Sequence, residues 1–175
     1  MTEPARVARV VVLRHGPAEE RNPLRWPDDN ARPLSRKGVA ETRRVAAGLA
    51  SLVGRVDRLA ASPAVRAHRT AELLRDALRD PPRISDWPEL DVGEDADRLF
   101  RPLRTVAGRG RTVVLVGHEP TLVGFVGLAL TGEAVAVTHL GKAGAALLEF
   151  PSSVRPGAAT LDWLLTRKQL ARLAK

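Results

Sequence analysis

Four side chains of the sequence could together bind and attack a phosphoryl group. They are Arg14, His15, Arg66 and His118, and each lies shortly beyond the end of a short apolar run. An arginine guanidinium matches phosphate oxygens as a bidentate fork and stays charged at any working pH. Two guanidiniums and two imidazoles around one point would form an anion site, and the protein itself would supply the positive charge without a metal ion.

His15 is predicted to be the nucleophile of this site. An imidazole has an ordinary pKa of about 6.5 and is largely neutral near pH 7, and neighbouring positive charges should lower that pKa further. Gly16 has no side chain, which lets a backbone carbonyl approach and hold the second ring nitrogen. Attack on phosphorus would form a phosphohistidine intermediate that water then hydrolyses. Arg14, Arg66 and His118 would stabilise the charge on the equatorial oxygens.

The leaving group of such a reaction can require a proton donor. Glu89, in Pro-Glu-Leu after the third predicted strand, is the best placed general acid, and Asp91 and Glu94 are rivals for the same role. For each of these carboxylates, a solvated loop position is the competing interpretation, so the sequence leaves the acid open.

Apolar runs rich in β-branched residues predict short strands, and apolar residues at helical spacing predict helices. The predicted strands cover residues 9–13, 57–61, 83–87, 112–116, about 144–149 and 160–165. The predicted helices run from Ser35 to Gly54, from Ser62-Pro63 to Pro81, over 95–107, from Pro120 to Gly132, and over a short basic tail. Ser62 is predicted to be an N-cap because proline is favoured at the first helical position that follows a cap.

Strands that alternate with helices predict an α/β protein, here a three-layer α/β/α sandwich with a mostly parallel sheet. The last two strands have no long helix between them, which indicates an antiparallel edge strand. No repeat or linker interrupts the pattern, so residues 1–175 are expected to form a single domain. Ligands of such sheets bind at the carboxyl ends of the strands. The segments that carry His15, Arg66 and His118 should therefore meet at one edge of the sheet.

Composition excludes several classes of function. The chain of 175 residues has no cysteine, which excludes cysteine-nucleophile phosphatases, disulfides and thiolate metal sites. No apolar run approaches the ~18 residues that span a bilayer, and the N-terminus does not resemble a signal peptide. A cytoplasmic protein that does not bind a membrane is therefore expected.

The formal net charge is +8, carried almost entirely by arginine. A compositional bias explains most of these arginines, and the alternative is a surface that attracts anions. Nucleic acid is not an expected partner, because the chain has no basic block, no zinc-finger spacing and few aromatic residues to stack on bases.

The site segments resemble the histidine phosphatase superfamily, formerly the phosphoglycerate-mutase-like group. The resemblance runs from about residue 9 to residue 131. It rests on Arg14-His15-Gly16, on the arginine motif of residues 62–71, on Gly117-His118, and on Pro33-Leu34-Ser35 with Gly38. In the arginine motif, Arg69 stands where the family usually has glutamine.

The length of the chain and its last segment are similar to those of the SixA-type phosphohistidine phosphatases of that superfamily. The similar segments begin at Leu90, at His118-Glu119-Pro120 and at Leu161, with Gln169-Leu170 near the end. The resemblance implies removal of phosphate from phosphohistidine on a signalling protein, with no metal or other cofactor. It also implies that His15 accepts the phosphoryl group, that Arg14, Arg66 and His118 bind it with Gly16 nearby, and that Arg32 touches the pocket.

Two other functions remain open at this stage. One is a phosphatase of small phosphomonoesters such as sugar phosphates or nucleotides, although few covering insertions favour an open pocket and a protein-borne phosphate. The other is a non-catalytic phosphate-binding or scaffold protein, against which the four intact site residues argue. The remaining histidines, His68 and His139, lack the spacing of metal ligands.

Overall fold

The computed structural model describes residues 7–174, which form strands that alternate with helices. The strands are β1 (Ala8–Arg14), β2 (Arg58–Ala61), β3 (Ile84–Asp86), β4 (Thr112–Gly117), β5 (Ala145–Phe150) and β6 (Thr160–Leu165). The α-helices are α1 (Arg36–Val53), α2 (Val65–Ala77), α3 (Phe100–Val106), α4 (Glu119–Thr131) and α5 (Arg167–Leu173). Short 3₁₀ turns lie at Asp29–Ala31, Pro88–Leu90 and Ala96–Leu99.

Within the described residues, the strands form one sheet in the order β3-β2-β4-β1-β5-β6. The four strands from β3 to β1 are parallel, and β5 is antiparallel to both β1 and β6. The predicted α/β class and the antiparallel pairing at one edge are confirmed. The strand that runs opposite to these four is β5, one place in from the edge, and the chain then turns back as β6 beside it.

Helices cover both faces of the sheet. Along β1 the side chains alternate, as a strand requires: Val10 and Val12 pack with α3 and α4, whereas Val11 and Leu13 pack with α1, α2 and α5. The sheet therefore lies between two apolar cores, which is the predicted three-layer sandwich. No helix of residues 7–174 is long and apolar enough to cross a membrane.

The start of α1 follows a local capping rule, whereas the start of α2, which carries a site residue, does not. Ser35 caps α1 through its side chain, which accepts from the backbone N–H of Gly38, and Gly54 ends the helix. The predicted cap at Ser62 is wrong, since α2 begins at Val65 and Ala64 is its N-cap. The hydroxyl of Ser62 accepts from the backbone N–H of Ala64 and turns toward the second histidine.

Helical spacing predicts that one face of α1 is buried, and the prediction is wrong at Leu52. The residues of that predicted face are Val39, Thr42, Val45, Ala46, Leu49 and Leu52. Leu52 is 38% exposed, whereas the next residue, Val53, is buried in the core. One turn of an α-helix takes 3.6 residues rather than 3.5, so the buried face moves by one position along the helix. Near the end of α1, Val53 is therefore buried in place of Leu52.

Candidate active site

The carboxyl ends of the parallel strands bring the predicted site residues together. Arg14 and Gly117, the last residues of β1 and β4, are paired in the sheet, so the residues that follow them are neighbours. The ring centroids of His15 and His118 are 5.1 Å apart. Arg66 Nη2 lies 3.4 Å from His118 Nδ1. The structure therefore collects the two arginines and two histidines in one cluster.

His15 is buried, and its ring is held by the backbone. Nδ1 lies 2.7 Å from the carbonyl oxygen of Gly16. A carbonyl oxygen only accepts hydrogen bonds, so Nδ1 carries the proton and Nε2 of the neutral ring has the lone pair. Burial lowers the pKa of His15 to about 3, and the charges of His118, Arg66 and Arg14 lower it less. The direction is the expected one, but burial outweighs the flanking charges as its cause.

Gly16 is required by packing as well as by the contact with His15. A Cβ at this position would lie 2.0 Å from Thr42 Oγ1, on α1. The backbone N–H of Gly16 donates to Thr70 Oγ1 of α2 at 3.0 Å. A side chain at position 16 would therefore displace Thr42 of α1, while Thr70 of α2 holds the loop that follows the nucleophile.

Arg14 is held by two acceptors through one nitrogen. Nη1 donates to the carbonyl oxygen of Leu140 at 2.8 Å and lies 2.7 Å from Glu119 Oε2. Glu119 follows His118 directly at the start of α4, and its other oxygen contacts the exposed His139. Nε of Arg14 is buried, and among the described residues it has no hydrogen-bond partner. An oxygen of a bound anion would satisfy this N–H.

Arg66 is held in the same way at the start of α2. Its side chain is 2% exposed, Nη1 donates to the carbonyl oxygen of Asp29 at 2.6 Å, and Nη2 lies 3.1 Å from Asp29 Oδ2. Nε of Arg66 is also buried, with no partner in residues 7–174. Buried N–H groups without acceptors are rare in proteins. Phosphate oxygens would satisfy both Nε–H groups of this cluster.

Asp29 belongs to the site, although the sequence analysis missed it. Arg32 donates from Nε to Asp29 Oδ1 at 2.9 Å and from Nη1 to the carbonyl oxygen of Glu19 at 2.8 Å. The hydrogen bond from Arg32 is the main cause that lowers the pKa of Asp29 and keeps it charged beside Arg66. Arg32, which was predicted to touch the pocket, contacts the cluster through Asp29.

His118 is the second buried imidazole of the cluster, 3% exposed. Burial lowers its pKa to about 4, Arg66 and Arg14 lower it further, and Asp91 opposes them. Nε2 of His118 lies 3.1 Å from Ser62 Oγ. Ser62 is therefore a site residue that the sequence analysis assigned to a helix cap. The pair Ser62-Pro63 indicated a polar side chain at this position, but the direction of its hydroxyl depends on His118, which lies far away in sequence at the start of α4.

Glu89 does not join the cluster. It lies in a surface cavity lined by Asp97, Arg98 and Arg101, and the described contacts link it to none of the site histidines or arginines. Asp91, a rival in the sequence analysis, does reach the site, with Oδ1 3.1 Å from Ser62 Oγ. The two carboxylates flank the end of a 3₁₀ turn, and the backbone of that turn directs only Asp91 inward.

Two residues of α2 near the cluster face the surface. His68 lies 3.5 Å from carboxylate oxygens of Glu72 and Asp86. Arg69 pairs with Glu72 at 2.7 Å. Neither contacts a site residue among the described contacts, so both offer matched controls for the buried histidines and arginines.

The buried histidines should make stability depend on pH. Their pKa values are lower in the folded protein, about 3 for His15 and about 4 for His118, than the ~6.5 of an unfolded chain. As the pH falls below about 6.5, the unfolded chain binds protons that the folded chain does not, so the free energy of unfolding decreases. Each histidine should contribute roughly 2 kcal/mol to this decrease by about pH 5.

Urea unfolding of the wild type and of His15→Gln, at about pH 7.5 and about pH 5, measures this dependence. The two histidines lower the free energy of unfolding between these pH values, and in the variant this contribution should be about half as large. An equal decrease in both proteins would show that His15 is not buried in its neutral form.

Residues 10–105 match the family model of the histidine phosphatase superfamily, branch 1. This stretch is more than half of the chain. The chain belongs to the histidine phosphatase superfamily. The predicted enzyme class, a phosphatase, is thereby confirmed at the level of the superfamily.

Curated relatives and solved structures point to the SixA-type branch. The chain is 31% identical to phosphohistidine phosphatase SixA of Escherichia coli K12 over 118 residues, 67% of this chain and 71% of that protein. An uncharacterised protein of Mycobacterium leprae is 30% identical over 123 residues, 69% and 71% of the two chains. A solved structure of protein histidine phosphatase SixA with tungstate superposes with a TM-score of 0.77, at 24% identity, over 93% and 99% of the chains.

The same fold also carries other activities. A phosphoserine phosphatase variant of Entamoeba histolytica, solved with phosphoserine, has a TM-score of 0.66 at 15% identity over 93% and 98% of the chains. This histidine phosphatase fold therefore does not by itself select the substrate.

Proposed function

We propose that this histidine phosphatase transfers a phosphoryl group to His15 and hydrolyses the resulting phosphohistidine without a metal ion. The observation that carries the proposal is the 2.7 Å contact between His15 Nδ1 and the carbonyl oxygen of Gly16. It leaves a lone pair on Nε2 of a buried neutral imidazole, in a cluster whose two arginines each have a buried Nε–H without a partner among the described residues. A nucleophile and its anion-binding groups are thus supplied by the same cluster.

The reaction has two steps. In the first, the Nε2 lone pair of His15 forms a bond to phosphorus while the bond to the leaving group breaks and its electron pair departs with the leaving group. The carbonyl oxygen of Gly16 accepts from Nδ1–H and so stabilises the positive ring that forms. In the second, water attacks phosphorus and the N–P electron pair returns to Nε2. One water proton stays on the attacking oxygen, and the other moves to a second phosphate oxygen.

Arg14 and Arg66 bind the phosphoryl oxygens in this mechanism. Nη1 of Arg14 and both Nη groups of Arg66 are occupied by protein acceptors. The buried Nε–H groups, which have no partner among the described residues, would donate to the ligand. Charge-assisted bonds from fixed guanidiniums stabilise the oxygens more than solvent does, because the site is buried and needs no reorganisation.

Phosphohistidine on a protein is the substrate that this site favours. Its leaving imidazole can carry a proton on its second nitrogen, since an imidazole titrates near pH 6.5, and then departs as a neutral ring. An alkyl ester leaves as an alkoxide, which needs a proton donor. Glu89 lies outside the cluster, and the carboxylate of Asp91 accepts hydrogen bonds from Ser62 and Asn30. The name of the Escherichia coli relative supports the same substrate class.

A small phosphomonoester is the second candidate, because the phosphoserine phosphatase shares the fold. Hydrolysis of a phosphohistidine protein, an aryl phosphate and phosphoserine, each with a chelator present, separates the two. We expect phosphoserine to be slower than phosphohistidine by about 10²-fold or more, the contribution of a general acid.

Faster turnover of phosphoserine or a sugar phosphate would move the assignment to a small-molecule phosphatase. No turnover of any substrate would favour the non-catalytic phosphate-binding function. Loss of activity with the chelator, restored by added metal, would contradict the metal-independent mechanism.

A further inference from the structure

Hydrogen bonds around His118 define which ring nitrogen carries the proton. Arginine has donors and no acceptor, so the 3.4 Å contact from Arg66 Nη2 requires a lone pair on His118 Nδ1. In the neutral ring the proton is then on Nε2, which donates to Ser62 Oγ at 3.1 Å. The neutral tautomer of His118 is therefore Nε2–H, the opposite of the tautomer of His15.

Ser62 passes this hydrogen bond to Asp91. Its Oγ also accepts from the backbone N–H of Ala64 at 3.1 Å, so both lone pairs are occupied and its own proton must be donated. The acceptor is Asp91 Oδ1, 3.1 Å away. Ser62 is fully buried. In the series from His118 to Asp91, Nε2–H of His118 therefore donates to Ser62, and the hydroxyl of Ser62 donates to Asp91.

Asp91 is anchored from several parts of the fold. Oδ2 accepts from Asn30 Nδ2 at 2.9 Å, and Oδ1 accepts from the backbone N–H of Val92 at 2.9 Å. The carbonyl oxygen of Asp91 accepts from Thr121 Oγ1 of α4 at 3.0 Å. These contacts hold the carboxylate against rotation, so its direction toward Ser62 is set by tertiary structure.

We infer that Asp91 is a positioning residue that acts through Ser62 to set the tautomer of His118 and to stabilise its protonated ring when a phosphoryl group binds. A phosphate dianion close to Nδ1 favours a second proton there, as an opposite charge does within about 4–6 Å, and Arg66 Nη2 then donates to a phosphate oxygen in place of Nδ1. Nε2–H stays bonded to Ser62, and Asp91 Oδ1, 3.6 Å from Nε2, supplies the compensating negative charge. The role in turnover rests on the proposed function.

The charges that face His118 come from several elements. They are Arg66 of α2, Arg14 of β1, Asp91 after the 3₁₀ turn Pro88–Leu90, and Asp29 of the loop before α1, with the ring of His15 alongside. Without phosphate, burial and the guanidiniums keep the ring neutral. The two negative charges of a phosphate near Nδ1 favour the protonated ring instead. The carboxylate of Asp91 then stabilises the positive charge of that ring.

Histidine-selective ¹⁵N NMR of the full chain tests the tautomer directly, with His118→Gln used to identify the resonances. In the wild type we expect Nε2–H alone without ligand, and protons on both nitrogens with saturating inorganic phosphate at neutral pH. Asp91→Asn retains an oxygen that accepts from Ser62 but removes the charge. It should keep the neutral tautomer and fail to protonate with phosphate. Ser62→Ala should give mixed tautomers.

Calorimetric titration with inorganic phosphate supplies the second readout. Asp91→Asn should weaken binding about tenfold at neutral pH, the effect of one pKa unit on the protonated ring. The difference should shrink near pH 5, where the proton is more abundant. Asp76→Asn removes an exposed carboxylate of α2 that pairs with Arg75, and should bind phosphate as the wild type does.

An Nδ1–H tautomer in the unliganded wild type would overturn the inference, as would wild-type phosphate affinity of Asp91→Asn at neutral pH. Equal weakening at every pH would show a structural role instead. Neither readout requires turnover. If the NMR and binding results are as expected but the protein hydrolyses no substrate, the positioning role of Asp91 is supported and the proposed function is contradicted.

Discussion

Replacing His15 with alanine should lower kcat/KM by about 10⁴-fold or more, the usual effect of removing a nucleophile. His118 cannot take over, because its lone pair faces Arg66 and its ring is held by Ser62. Steady-state hydrolysis of an aryl phosphate measures the loss. Mass spectrometry of enzyme denatured in alkali during turnover should show one phosphoryl group on the wild type and none on the variant.

His68→Ala is the matched control for this prediction. His68 contacts Glu72 and Asp86 at the surface of α2, so its removal should change kcat/KM by less than about twofold. A His15→Ala protein that retains activity, or that still acquires a phosphoryl group, would show that another residue is the nucleophile.

Replacing Arg66 with methionine should lower kcat/KM by about 10²–10³-fold, the effect of losing one preorganised donor at the developing charge. Arg66→Lys should not restore activity. The three N–H groups of an ammonium share a single nitrogen, so they cannot reach the separate positions from which Nη1, Nη2 and Nε of Arg66 donate. The loss should appear in phosphate affinity as well as in turnover, because Arg66 Nε has no partner among the described residues before a ligand binds.

Arg69→Met, three positions along the same helix, controls for the loss of a positive charge. Arg69 pairs with Glu72 and should tolerate the change with less than about a twofold effect. The unfolding temperature of each variant separates an effect on the site from an effect on the fold. Equal losses in the Arg66 and Arg69 variants would show that net charge near the pocket, rather than the Arg66 contact, binds phosphate.

Local patterns were sufficient to predict the elements of the fold. The apolar run before Arg14 and the run before Gly117 are strands, and Ser35 and Gly54 bound α1. These features depend on neighbours in sequence: β-branched residues favour extended backbone, and a hydroxyl at the cap satisfies the free N–H groups of the first turn. The rule that parallel strands end at one edge then brought the site segments together.

Contacts between distant segments were not predictable in the same way. Ser62 satisfies a local capping pattern, but its hydroxyl is directed to His118, 56 residues later. Glu89 and Asp91 lie two positions apart, and only the backbone of their turn decides that Asp91 enters the cluster. Asp29 begins a 3₁₀ turn in the segment before α1, and its partner Arg66 lies 37 residues later.

The sequence by itself determined the chemistry available to this protein: a histidine after a strand, arginines that match phosphate, and no cysteine. These are properties of residue types and local order. Tertiary structure alone decided the proton positions and pKa values, because burial of His15 and His118 lowers their pKa more than any neighbouring charge does. It also decided the hydrogen-bond partners, since an acceptor from another element determines which nitrogen of a neutral ring carries its proton.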